Sequence, residues 1–239
     1  EHDVIIFSLE MARAELIAKS LSRLSLELCG GDTRNAKTTR AITDPTQSSR
    51  FSLIERELMN RATAEYKSFA RRIWINEGLG TIGTKQIGDA IRRHISIMGN
   101  IPFVLIDYLQ ILASPDPRMS DKQATDKNVF ELKRISRAFK CPILAISSFN
   151  RDNYTAALNM TAFKESGAIE YSSDVLLGIQ PQGMTDKGTE TSKADNARTL
   201  DNCKKADTRQ LELKILKNRH GKTGSVINYQ YTPMFNYFK

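Results

Sequence analysis

Cysteine is scarce in this sequence, and its three copies, Cys29, Cys141 and Cys203, stand far apart with no metal-ligand spacing. That excludes a disulfide scaffold and a zinc module, and it predicts reduced thiols in a cytoplasmic protein. Apolar runs are short. None approaches the roughly 20 residues that cross a bilayer, and no signal-peptide pattern precedes the first apolar segment, so no membrane partner is expected. A phosphate-cradling glycine loop is also missing. Gly221-Lys222-Thr223 spells the end of one, but the first glycine of that motif would fall where Leu216 stands. Such a loop needs a helix after it, whose N-terminus meets the phosphates, whereas Ser225-Val226-Ile227-Asn228-Tyr229 reads as a strand. Gly78, Gly80 and Gly83 form a loop with no Gly-Lys-Ser/Thr behind it. The chain opens on a strand without a methionine and reads as a fragment truncated at its N-terminus.

Acid is the scarcer charge. Lys and Arg number 35 against 27 Asp and Glu, giving +8 and a pI near 9.4. An excess of this size suggests an anionic partner, with nucleic acid the commonest, and a solvated basic surface as the plain alternative. A chain of 239 residues, 40% hydrophobic and 26% charged, suits one large soluble α/β domain or two small ones.

Pro102-Phe103-Val104-Leu105-Ile106-Asp107-Tyr108-Leu109-Gln110 organises the rest. Unbroken apolarity over strand length predicts a strand buried on both faces of a parallel sheet. A carboxylate at its end is costly to bury unless something positive meets it. Open α/β sheets take ligands at the carboxyl ends of their strands. Asp107 therefore either faces a Mg²⁺–nucleotide site or caps the next turn. Val4-Ile5-Ile6-Phe7 is a second strand of this kind, and Glu10 follows it either as a second site acid or as a first-turn acid of the next helix.

That helix carries Ile17, Leu21, Leu24 and Leu28 on one stripe and stops at Gly30-Gly31. A helix follows over 53–71, with Leu58 and Ala62 buried, and then a strand over 72–76. Thr84 is expected to cap a helix whose Ile87, Ile91, Ile95 and Met98 face the core and whose Arg92, Arg93 and His94 face solvent. Asp126 is expected to cap the next, with Val129, Leu132, Ile135 and Phe139 inward. Strands are predicted over 141–146 and 174–179. Residues 181–210, poor in apolar side chains, read as a mobile insertion. A C-terminal hairpin pairs 211–216 with 225–229 and holds Lys217 and Arg219 in its turn.

These pieces, in this order, resemble the C-terminal RecA-like motor domain of bacterial and phage replicative DNA helicases of the DnaB type. The resemblance rests on Phe7-Ser8-Leu9-Glu10-Met11, Ile106-Asp107-Tyr108-Leu109-Gln110, Ile146-Ser147-Ser148-Phe149-Asn150-Arg151, Glu165-Ser166-Gly167-Ala168-Ile169-Glu170 and Lys217-Asn218-Arg219-His220-Gly221. It implies a RecA-like P-loop NTPase core: a mainly parallel sheet flanked by helices with a C-terminal antiparallel hairpin, a single domain over 1–239. It further implies a homo-hexameric ring moving on single-stranded DNA, ATP and Mg²⁺ as cofactors, and a helicase loader and a primase as partners.

By that resemblance Glu10 polarises the attacking water, and Asp107 holds Mg²⁺ through its water shell. Lys217 and Arg219 reach the neighbouring subunit's site, where they neutralise developing charge; no acid flanks them in the hairpin. Ser148 stands at the nucleotide-state sensor, and Lys164, Glu165, Gly167 and Arg151 on the DNA side. Two positions depart from the family pattern. Ser148 replaces the usual glutamine and reaches less far. Lys164 replaces the usual arginine and loses its two-pronged grip on phosphate. The competing functions are a RecA-like recombination or loading ATPase and a non-catalytic assembly module of a helicase ring.

Overall fold

The computed structural model describes residues 2–78, 81–149, 155–159, 167–185 and 190–239. In chain order they form β1 (Val4–Ser8), α1 (Arg13–Leu28), α2 (Thr39–Thr43), α3 (Pro45–Ser48), α4 (Leu53–Ala70), β2 (Ile73–Glu77), α5 (Thr84–Met98) and β3 (Phe103–Asp107). There follow α6 (Asp121–Phe139), β4 (Ile143–Ala145), α7 (Gly167–Ser172), β5 (Val175–Pro181), α8 (Glu190–Lys205), β6 (Arg209–Asn218), β7 (Val226–Thr232) and β8 (Tyr237–Phe238). One sheet is parallel, in the order β2-β1-β3-β4, and the other is antiparallel, in the order β5-β6-β7-β8. The α/β class and the helix-flanked parallel sheet are as expected. The expected C-terminal hairpin is the centre of something larger, gaining β5 on one side and β8 on the other.

The two apolar runs pair in register, from Val4 opposite Phe103 to Ser8 opposite Asp107. Side chains alternate along a strand, so this register puts Ile5, Phe7, Val104 and Ile106 on one face, all of them buried. Helix α5 lays Ile87 and Ile91 on that face, and α6 adds Val129, Leu132 and Ile135. Each fully buried side chain of this size contributes roughly 1.5–3 kcal/mol. Leu176 of β5 belongs to the same core, so the two sheets share it. The opposite face carries Ile6, Ser8, Ile73, Ile75, Leu105 and Asp107, with Leu16, Lys19, Ser20 and Arg23 of α1 across from them.

Several local expectations give way to tertiary contacts. Helix α1 buries Ala18, Ser22 and Ser25, and of the expected stripe only Leu24 is fully buried. Small side chains let it approach α4, whose Leu58 and Ala62 are buried as expected. Gly30 and Gly31, at φ +63° and +91°, end α1 where only glycine is comfortable. His94 is not solvated. Its Nε2 lies 3.1 Å from Asp3 Oδ2, both side chains 5% exposed, and its ring meets Trp74 edge-on at 4.5 Å. Met98 is exposed instead.

Helix α6 begins at Asp121, before Asp126, because Ser120 and Gln123 close a capping box. The segment expected as a polar insertion contains α8. Asn196 fastens that helix, accepting from Thr185 N at 3.0 Å and donating to Thr185 O at 2.9 Å and Thr155 O at 3.0 Å. Strand β6 runs through Asn218, so Lys217 lies in the strand and Arg219 just past its end.

Candidate functional site

At the carboxyl edge of the parallel sheet Ser8 stands opposite both Glu77 and Asp107. Leu9 N donates to Asp107 O at 2.8 Å, which fixes the chain just past β1 against the end of β3. Glu10 follows directly and is exposed; Asp107 is half-buried. The ordinary jobs open to these two acids are taken by other groups. At the N-terminus of α1, Ala12 N donates to Glu15 Oε2 at 3.1 Å and Arg13 N donates to Glu77 Oε1. The 3₁₀ turn Leu109–Ile111 starts from Tyr108 with no side-chain cap. Among the described residues, the sheet edge thus presents two carboxylates that no helix or turn uses. Glu77 is the structural acid, and sequence reasoning missed it; its position at a strand end before Gly78 was the available signal.

The end of β4 is tied to the end of β3 by Gln110. Its Nε2 donates to Ser147 Oγ at 3.0 Å and Ser148 O at 3.4 Å, while Ser148 N donates back to Gln110 Oε1 at 3.4 Å. Ser148 is exposed beside this bridge. In the sequence Gln110 is legible only as part of a motif, since its role as an amide clamp depends on a partner far along the chain.

Arg219 does not stand apart from acids, as the hairpin sequence suggested, whereas Lys217 meets backbone carbonyls. Arg219 Nη1 lies 3.0 Å from Asp174 Oδ1, and Lys133 of α6 pairs with Asp174 Oδ2. Lys133, then Arg219, hold the Asp174 carboxyl below the usual aspartate range. Lys217 Nζ donates to Glu170 O at 2.6 Å and Tyr171 O at 3.4 Å, closing the C-terminal end of α7. Gly167 opens α7. Lys164, Glu165 and Arg151 lie outside the described residues.

The oxygen donors at the sheet edge suit a hard cation such as Mg²⁺, which keeps most of its water and takes one or two carboxylates. Among the described residues no group of three or more His, Cys, Asp and Glu side chains could hold a metal alone. A cavity of about 240 Å³ has Asp107, Ser8, Lys19 and Arg23 in its lining. A larger one, about 440 Å³, lies away from this chemistry, between Leu28, Cys29 and the start of α4.

The family described as DnaB-like helicase C terminal domain matches residues 1–239. The replicative DNA helicase DnaC of Bacillus subtilis (strain 168) is 25% identical over 231 residues, 95% of this chain and 43% of the relative. A probable replicative DNA helicase of Trieres chinensis is 22% identical over 241 residues, 98% of this chain and 46% of the relative. The chain therefore spans less than half the length of these curated relatives. Among solved structures, one ATPase domain superposes with a TM-score of 0.76 at 19% identity, covering 99% of this chain and 74% of that one. A DnaB-like replicative helicase, described together with its interactions with primase, gives 0.75 at 19% identity, covering 99% and 50%. At these identities the likeness establishes the fold alone, a RecA-like α/β core.

Proposed function

The chain belongs to the DnaB-like helicase C-terminal domain family, and from that premise we propose that it is the ATP-driven motor of a replicative DNA helicase. In this reading it works as a homo-hexameric ring that unwinds duplex by moving on single-stranded DNA. The observation that carries the proposal is the pair Glu10 and Asp107, brought to the same sheet edge with the local capping roles filled by Glu15 and Glu77.

In the proposed mechanism Asp107 is the residue that would hold a Mg²⁺ ion. Such an ion would supply charge neutralisation at the phosphates. Glu10 accepts a hydrogen bond from the attacking water and orients it. Arg219 and Lys217 act on the neighbouring subunit's nucleotide, where positive charge is worth most as the transition state develops negative charge. Gln110 holds the Ser147–Ser148 backbone, so the hydroxyl of Ser148 is presented from a fixed support. Loader and primase would dock on the complete protein; primase is the partner described for the second solved relative.

The phosphate cradle has a place to enter. Among the described residues β4 and β5 each pair on one edge only. Leu144 and Ile146 at β4, and Val175, Leu177 and Ile179 on β5, are 41–50% exposed. The parallel sheet of β4 is of a kind rarely left uncovered, and a row of exposed apolar side chains on an unpaired edge strand such as β5 invites a further strand. One more apolar strand between β4 and β5 would pair with both and unite the sheets, with β4 between it and the strand of Asp107, so that a glycine-rich loop at its end would meet phosphate on the same carboxyl edge. The complete protein should accordingly show DNA-stimulated ATP turnover and strand separation. Glu10→Gln should lower turnover by roughly 10²–10⁴-fold while nucleotide still binds. Turnover within a few-fold of wild type would remove Glu10 from the mechanism.

A further inference from the structure

We propose that Asp174 is the positioning residue for Arg219, presenting its guanidinium to the neighbouring subunit's site; the inference rests on the reading of Arg219 as a cation acting in trans. Asp174 sits at the corner between α7 and β5, and it grips Arg219 at both ends. Arg219 N donates to Asp174 O at 2.8 Å, and Nη1 meets Oδ1 at 3.0 Å. An arginine just beyond a strand end has many rotamers, and two anchors on one residue restrict them. The contact still leaves 52% of the Arg219 side chain exposed, so most of the fork remains open to a second partner.

Charge balance decides whether such a contact orients Arg219 or silences it. A lone carboxylate would cancel the charge that the transition state needs. Lys133 pairs with the other oxygen, Oδ2. Two cations on one carboxylate leave the cluster with a net positive charge, so Arg219 is held in place without being neutralised. An exposed ion pair between two ordinary surface groups contributes little; this one differs by the shared carboxylate and the backbone bond beside it. The neighbouring cation is held the same way, since Lys217 is fastened to the last carbonyls of α7. Helix α7 starts at Gly167, the end of the segment proposed to lie on the DNA side. Both trans-acting cations therefore rest on one support, the α7–Asp174 corner.

The test uses the complete, ring-forming protein and measures steady-state ATP turnover with single-stranded DNA present. Asp174→Ala should lower kcat by about 10–10²-fold, the size expected of a misplaced catalytic group, with the KM for ATP within about twofold and ring assembly unchanged. Asp174→Asn, which keeps the shape and one acceptor, should fall between Ala and wild type and guards against a variant that fails to fold. The double variant Asp174→Ala/Arg219→Ala should be no worse than Arg219→Ala alone. Asp116→Ala, which removes an exposed ion pair with Arg118 at 3.0 Å elsewhere on the surface, should leave kcat unchanged. An inactive Arg219→Ala beside a fully active Asp174→Ala would overturn the positioning role and leave the trans cation standing. Losses that multiply in the double variant would also overturn it. Full turnover in Arg219→Ala would overturn both readings together.

Discussion

Arg219 is the residue on which the proposed chemistry turns. As a cation acting across an interface, Arg219→Ala should reduce turnover on the order of 10³-fold or more and leave nucleotide binding largely intact. Equilibrium binding and steady-state turnover on the same variant separate the two effects. Its partner Asp174 carries a pH signature. The folded-state pKa is depressed, chiefly by Lys133, so the cluster stabilises the fold above the ordinary aspartate value of about 4. That contribution is lost as pH falls through the depressed value. Because the Asp174 and Arg219 side chains are about half exposed the effect is small, and it should disappear in Asp174→Asn when acid unfolding of the two proteins is compared. Cys141 behaves oppositely. Burial pushes its thiol up to about 11, and its Sγ lies 2.9 Å from Pro102 O, so it stays protonated and inert at neutral pH.

Single residues were legible where the signal was local. Asp107 and Glu10 could be picked out because each ends an apolar run. The Asp174 contact with Arg219 spans 45 residues and the His94 contact with Asp3 spans 91. No periodicity within one helix or hairpin reports such partners, and two neighbouring arginines make His94 look solvated.

Among the elements, α5 shows what the misplaced histidine does. His94 joins α5 to the residue before β1, and Trp74 of β2 packs against its ring. His94→Ala removes the side-chain partner of a buried carboxylate and should cost about 2–4 kcal/mol. Urea unfolding followed by Trp74 fluorescence, the single tryptophan in the chain, measures it, and an unchanged midpoint would mean that Asp3 finds another partner. The elements built on long apolar runs, β1 and β3, and on clean helical spacing, α4 and the inner face of α6, could be read from sequence. Helix α8 could not, because its anchor is one buried polar residue, Asn196, rather than an apolar stripe. The N-terminus of α6 was misplaced because Ser120 and Asp126 are both good caps, and only the Gln123 side chain, reaching back to Ser120 N at 3.0 Å, decides between them. Because the sequence has no Gly-x-x-x-x-Gly-Lys-Ser/Thr loop to cradle phosphates, chain 1–239 alone should hydrolyse ATP poorly. Turnover of the isolated segment near that of the complete protein would contradict this.

For the whole molecule, a net charge of +8 admits either a diffuse basic surface or a defined DNA track. The DNA-side proposal for Lys164 separates them in the complete ring with a non-hydrolysable nucleotide. Lys164→Ala should weaken single-strand binding similarly for all sequences and lower the log–log salt slope by about 0.7, one contact's share. The same change at Lys187 or Lys193 should move the slope far less, and equal effects would assign the charge to a diffuse field.

The composite site is the central claim: Glu10 and Asp107 from one subunit, Arg219 from the next. It is tested most directly by mixing two inactive variants of the complete protein, Glu10→Gln and Arg219→Ala, carrying different tags so that mixed rings can be isolated. In a mixed ring some interfaces join an intact Glu10 to an intact Arg219. ATP turnover should therefore reappear, at a fraction of the wild-type rate set by how many such interfaces form. Isolated mixed rings as inactive as either parent would contradict a site shared between subunits.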